Sequence, residues 1–428
     1  MKYKELFYFT GRCLALDEHP EFRETILKMI QAEEIVWEDF IQLCSDHLII
    51  PAIYLKFRQH NLLNGLNFPV RENLSVEMSL NDPGFVPYAR LTSNGGQGTK
   101  NQHILHSATD LGFLTEQKNE IKPSQCVIPE EVEQAFAEIY DLNRERNLQI
   151  LKQIDDITAI LNKENIQPVF LKGTANLLDG LYSDVGERMI GDIDFLVKEE
   201  DFLKAATLLE DAGYKKSANN YFNVFRFKHY PVLTKDGEPT YIEIHRLPVD
   251  QKYETSLNSE LIFSQKKEVP GKPGIFVPSD EHKLMHTFIH SQLADNGHTY
   301  MLADFRVLND LYRLSKRMDV STLSQHSNYP NEASSWLCVG RRLLDLPDLC
   351  PVEIKSAQRY SWKFNRSLKH VKTYQAYLFL KKLFLTIMRY GKGLVQMFYS
   401  KEQRISVYKR LKDPQWYRIH MLSIKQGL

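Results

Sequence analysis

Two aspartates separated by one isoleucine, Asp192-Ile193-Asp194, open the run DIDFLV. Residues two apart in a strand share a face, so the two carboxylates project together while Ile193 and Phe195 point the other way. Like charges this close repel, and the natural partner is a divalent cation; hard oxygen ligands favour Mg²⁺ or Mn²⁺. Upstream, Lys172-Gly173-Thr174 separates a short apolar strand (Val169, Phe170, Leu171) from a helix expected over 175–181. A glycine turn at a helix N-terminus presents backbone N–H groups to a phosphate. Lys172 adds a cation beside it, and the Arg188 guanidinium matches phosphate oxygens two at a time. A metal ion beside a triphosphate is the chemistry these residue types suggest.

Further along, residues 221–233 alternate: Phe225 and Phe227 take one face, Arg226 and Lys228 the other. A turn at Lys235-Asp236-Gly237 leads into Tyr241-Ile242-Glu243-Ile244-His245, so an antiparallel hairpin is expected. On its second strand Ile242 and Ile244 oppose Glu243 and His245, which share the polar face. Arg226, Lys228, His229 and His245 are candidates for the side from which an acceptor would approach. His282, His286 and His290 recur every fourth residue on one helix face, but no H-E-x-x-H motif accompanies them, and packing is the expected role.

The elements that must position these groups fall into four stretches. Residues 1–63 read as helices, with Trp37, Phe40, Ile41, Cys44 and Leu48 in an amphipathic pattern and Pro51 in the first turn of the next helix. Residues 64–128, rich in Asn, Gly, Ser and Pro, read as an insertion of low order. The core is expected over 129–275. It starts with a long helix from Pro129, placed at N1, to about 165, whose stripe is Leu151, Ile154, Ile157 and Leu161. Strand 191–197, helix 199–212 with Gly213 as its stop, and the hairpin follow. Residues 276–428 read as mostly helical, with segments at 280–289 capped by Ser279 or Asp280, at 299–317, at 333–345 and at 353–398. The fold class is therefore α+β: a small mixed sheet flanked by N- and C-terminal helical modules.

Composition sets the outer limits. The 428 residues leave room for two or three domains. The start MKYKELFYFTGR lacks a signal peptide's apolar region, and no uninterrupted apolar stretch long enough to span a bilayer occurs. Five scattered cysteines with no C-x-x-C pair argue against a disulfide framework or zinc knuckle and fit a reducing cytoplasm. Zero net charge conceals an asymmetry: from Lys363 onward fifteen Lys/Arg face two acids, Glu402 and Asp413. That bias suggests an anionic partner, with peripheral attachment to a membrane among the options. For the run YLFLKKLFLTIMRYGKGLVQMFY the favoured reading is a core helix with a solvated basic edge, ahead of a helix lying on an anionic membrane.

Taken together, Leu171-Lys172-Gly173, Tyr182, Arg188, Asp192-Ile193-Asp194-Phe195-Leu196-Val197, Leu208-Leu209 through Gly213-Tyr214, and Glu243-Ile244-His245 resemble a poorly characterised bacterial nucleotidyltransferase family. That family is part of the DNA polymerase β-like superfamily. Trp37, His47, Pro51 and Tyr54-Leu55 resemble its N-terminal helical module; His286, His290, Arg306 and Asp310 resemble its helical region downstream. The departures are Ser183 in place of a proline, Thr174 where the superfamily prefers serine, a long gap between Gly173 and Asp192, and the insertion.

The resemblance implies a Mg²⁺ or Mn²⁺ site at Asp192, Asp194 and Glu243, with Lys172, Gly173, Thr174 and Arg188 on the nucleotide. The implied reaction moves an NMP from an NTP, ATP for example, to an acceptor (sugar, peptide, protein or RNA) with release of pyrophosphate. A nucleotide-binding regulator or toxin–antitoxin component on the same fold is the second reading, and a D-x-D glycosyltransferase a minor third.

Overall fold

The computed structural model describes residues 1–63, 128–216, 227–352 and 354–401, with isolated positions up to 414. The expected insertion, apart from Ile128, lies outside the described residues, as do Cys126, Arg226, the first part of the hairpin and the end of the chain.

Seven short strands form one mixed sheet in the order β3-β4-β5-β2-β1-β7-β6. They are β1 (Val169–Phe170), β2 (Ile193–Leu196), β3 (Lys215–Lys216), β4 (Leu233–Thr234), β5 (Ile242–His245), β6 (Lys267–Glu268) and β7 (Phe276–Val277). The central pair, β2 with β5, is parallel, as is β1 with β7; the other pairings are antiparallel. Ile193, Phe195, Ile242 and Ile244 join one buried cluster. In it they meet Ile150, Ile154, Ile157 and Leu161 of α5 (Glu130–Asn162) and Phe202, Ala205, Ala206 and Leu209 of α7 (Phe202–Asp211). The sheet is thus sealed on one face by apolar helices, which leaves the alternate residues of β2 and β5 for the other face.

A second core is built from both ends of the chain. It contains residues of α1 (Tyr3–Leu14), α2 (Phe22–Gln31), α3 (Trp37–Asp46) and α4 (Ile50–Gln59) together with residues of α8 (Ser259–Ser264), α9 (Asp280–Phe288), α10 (Phe305–Ser315), α11 (Pro330–Leu344) and α12 (Lys355–Lys369). The two terminal helical regions therefore share one hydrophobic interior. Helix α5 bridges the cores: Val132 and Phe136 near its start pack in the helical one, while Ile150 to Leu161 pack under the sheet. Glu130, Glu131 and Glu133 complement its N-terminal dipole.

Several boundaries differ from expectation. Pro129 is the N-cap of α5 and not its first helical residue. The helix after β1, α6, is Lys172–Leu178; it starts earlier because Lys172 itself turns the chain, at φ +53°. Helix α10 starts only at Phe305, where the Asp304 carboxylate accepts from the Arg306 N–H at 2.8 Å. In the described part of the hairpin Leu233 pairs with Ile242, and one bridge joins His229 to His245.

Helix α13 (Val371–Tyr399) is not a core helix. Leu380, Phe384, Ile387 and Phe398 are exposed, because the helix is anchored mainly near its start, by Tyr374 Oη and Lys381 Nζ on the carbonyls of Tyr300 and Thr299. Among the described residues no helix is long and apolar enough to cross a membrane. Cys13, Cys44, Cys338 and Cys350 are buried thiols.

Two outcomes follow from how the helical core closes. A Cβ on Gly11 of α1 would lie 2.1 Å from the Leu343 carbonyl oxygen of α11. Gly11→Ala is therefore expected to cost about 1–3 kcal/mol in urea unfolding. Asp304 lies beside His47, with 3.9 Å from Oδ1 to Nδ1. Burial alone would raise its carboxyl, but the contact with His47 and the charge of Arg306 hold it at about 2. Because the folded value is depressed, its contribution is complete above the ordinary carboxylate range and is lost as pH falls toward about 2. Asp304→Asn is expected to flatten that acid-side decline in urea titrations run across pH.

Candidate active site

The parallel register sets Asp194 beside Glu243 and Leu196 beside His245. Glu243 and His245 are two apart on β5, so they and Asp194 share the face turned away from the α5–α7 core. One oxygen each from Asp194 and Glu243 and one imidazole nitrogen of His245 lie within 4.8 Å of one another, all three residues buried. His245 Nε2 is 2.9 Å from Asp194 Oδ1 and 3.5 Å from Glu243 Oε2, while its Nδ1 is 3.3 Å from the Leu247 carbonyl. The Lys172 ammonium donates to Asp194 Oδ1 at 2.8 Å. Burial would raise the Asp194 carboxyl, but the Lys172 charge and the His245 contact outweigh it and hold it well below the usual range.

Asp192 stands just before β2, half-buried, outside that group of three. Its backbone is firmly held: its carbonyl accepts from Thr174 Oγ1 at 3.1 Å, and Thr240 Oγ1 donates to the Gly191 carbonyl at 2.7 Å. Arg146 of α5 reaches the carbonyls of Ile190 and Gly191. Burial lowers the Arg146 guanidinium to about 10 against the opposing charge of Asp192. On the same helix Asn143 donates to the Gly186 carbonyl at 2.6 Å, and Asn147 to those of Val185 and Arg188 at 2.6 and 2.8 Å. These three side chains fix the segment that leads into Asp192, and no sequence motif singled them out. A signal was present: the buried stripe of α5 turns from isoleucine to asparagine at 147 and 143.

Gly173 lies beside Arg188, but not for a left-handed turn, since the positive φ belongs to Lys172. A Cβ at Gly173 would lie 3.1 Å from Ile190 Cδ1 and 3.4 Å from Arg188 Nη2, so the glycine keeps space that a side chain would take. Arg188 itself is buried and bidentate on Asp310 of α10, at 2.9 and 2.8 Å, with its Nη1 on the Met189 carbonyl. Tyr182 Oη donates to the same Asp310 at 2.6 Å. The sequence candidate for phosphate contact is thus engaged in joining the sheet to the helical core. Glu187 with Arg313 and Asp179 with Lys283 repeat that connection nearby.

Of the residues expected on an acceptor side, Lys228 is depressed by burial and by the charge of Lys172. His229 is depressed by burial; its Nε2 is 4.0 Å from Glu243 Oε2. Arg226 lies outside the described residues. His286 is buried with its Nε2 lacking a hydrogen-bond partner, and burial together with Lys172, His290 and Lys228 pushes it well below the usual histidine range. His290 pairs with Asp295 at 2.9 Å, and the histidine row forms no metal-ligating group among the described residues.

This arrangement offers a hard-donor cation site beside two lysines and a glycine kept bare by its neighbours. Residues 111–330, just over half the chain, match the model of a family described as uncharacterised nucleotidyltransferase. No curated protein and no solved structure matches.

Asp310→Ala, which strands the buried Arg188 guanidinium, is expected to cost about 3–5 kcal/mol by urea unfolding. Lys215→Ala, which breaks an exposed pair with Asp236, serves as the near-neutral comparison.

Proposed function

This chain belongs to the uncharacterised nucleotidyltransferase family, a nucleotidyl-transfer enzyme with a nucleotide substrate, and we propose that it moves an NMP from an NTP to an acceptor hydroxyl, with Mg²⁺ or Mn²⁺ required. The observation that carries the reading is the buried grouping of Asp194, Glu243 and His245, with the Lys172 ammonium on Asp194.

The residues fit a divalent ion. Two carboxylates supply the hard oxygens, and with an ion between them the His245 tautomer that donates from Nδ1 to the Leu247 carbonyl would leave Nε2 to ligate beside them. Asp194 and Glu243 would hold the ion, with Asp192 at the mouth as the third carboxylate. Such an ion neutralises phosphate charge and makes an acceptor hydroxyl easier to deprotonate.

The protein groups do the rest. The acceptor oxygen bonds to the α-phosphorus, the bond from that phosphorus to the bridging oxygen breaks, and pyrophosphate leaves. Glu243 receives the acceptor proton. Lys172, once a cation competes for Asp194, is adjacent to the Gly173-Thr174 turn and available to a phosphate. Thr174 holds Asp192 through its carbonyl, and Arg188, tied to Asp310, positions the turn from beneath. Lys228, His229 and His245 border the acceptor, whose class (sugar, peptide, protein or RNA) is read out by the test.

Incubating the protein with α-labelled NTPs, Mg²⁺ and cell extract is expected to label an acceptor. Asp194→Asn and Glu243→Gln should each reduce labelling by about 10³-fold or more. Undiminished labelling by Asp194→Asn would sink the assignment.

A further inference from the structure

Arg306, in the first turn of α10, is the one arginine near the site whose guanidinium has no ion pair or hydrogen bond among the described residues, and its Nε is buried without a partner. Its electrostatic neighbours are Arg188, Asp304, Asp310 and Asp192. Most of the carboxylate capacity there is already used. Both Asp310 oxygens accept from Arg188, one of them also from Tyr182, and Asp304 Oδ1 caps α10 through the Arg306 backbone N–H. Burial and the adjacent Arg188 depress the Arg306 guanidinium, so its positive charge is carried at a cost. A partly buried cation without a partner is costly to keep and gains most from an arriving anion.

We infer that Arg306 binds a phosphate of the nucleotide's triphosphate tail, so that the C-terminal helical region supplies part of the substrate site. The inference rests on the nucleotidyl-transfer reading for the identity of the ligand. The site's geometry supports it: Arg188 lies under Gly173, the turn next to the carboxylates, and is held by Asp310, one turn along α10 from Arg306, whose guanidinium feels the charges of Arg188 and Asp192. A guanidinium can offer two parallel N–H donors to one phosphate, which an ammonium cannot.

The test uses the full chain with inorganic tripolyphosphate in EDTA, followed by calorimetry and thermal unfolding. The parent should bind, Arg306→Gln should bind at least about tenfold more weakly, and Arg306→Lys should fall between them. Without ligand, Arg306→Gln should unfold at the parent's temperature or above it, because the guanidinium makes no hydrogen bond or ion pair among the described residues and burial with the Arg188 charge outweighs its attraction to Asp304, Asp310 and Asp192. Tripolyphosphate affinity of Arg306→Gln within about twofold of the parent would overturn the inference. So would a parent that does not bind, or a variant that fails to fold or melts more than about 4 °C lower, which marks a structural role. A parent that binds through Arg306 yet transfers no labelled NMP overturns the nucleotidyl-transfer reading alone.

Discussion

The parallel pairing of β2 with β5 is the constraint on which the site depends. Four residues of each strand are matched, and that register puts Asp194 beside Glu243 and Leu196 beside His245. The same alternation that buries Ile193, Phe195, Ile242 and Ile244 against α5 and α7 forces the ionisable residues onto the opposite face. A one-residue slip would exchange the two sets. It would bury carboxylates among aliphatic side chains and expose isoleucines, so packing under the sheet enforces the geometry above it. The hydrophobic term and the chemistry are selected by one periodicity.

Two buried carboxylates side by side are unfavourable on their own, and the protein answers with the Lys172 ammonium and a hydrogen-bonding imidazole. Lys172 reaches Asp194 from the left-handed turn at the start of α6, and His245 lies against both acids. This balance explains why a bulky residue tolerates a positive φ at position 172: a position shifted elsewhere would not bring the ammonium to Asp194. Around this centre the segment 185–191 carries no regular structure, and its carbonyls are held by Asn143, Arg146 and Asn147 from α5. Below it, Arg188 and Asp310 fasten the sheet to the helical core built from both chain ends. The helical regions are thus part of the site's support.

The α+β class, the D-x-D pair, the glycine at 173 and the Glu243/His245 face were all legible in the sequence, because each depends on local spacing or on alternation over a few residues. The long helix after Pro129 and the Ser279 cap were legible for the same reason; Ser279 Oγ accepts from the His282 N–H. What local spacing could not show are places where a tertiary partner adds to the local rule. Gly173 reads as a conformational glycine, yet its neighbours Ile190 and Arg188 are what require it to lack a side chain. Arg188 reads as a phosphate ligand, and Asp310, more than a hundred residues away, takes two of its three guanidinium nitrogens. A basic amphipathic helix reads as core, and α13 stands mostly exposed because, among the described residues, little packs against it beyond its first turns.

The sequence by itself determined the ingredients and their order along the chain: which residues alternate, which carry charge, and where strands and helices begin to be favourable. These follow from backbone periodicity, which acts over a few residues. Only the tertiary structure decided which of the charges meet. Asp194 joins Glu243 and His245 while Asp192 stands at the edge, Arg146 arrives from α5, and Arg306 comes from a helix more than a hundred residues further on. Coulomb interactions and hydrogen bonds act over a few ångströms in space, and the chain separations they join leave no trace in local spacing.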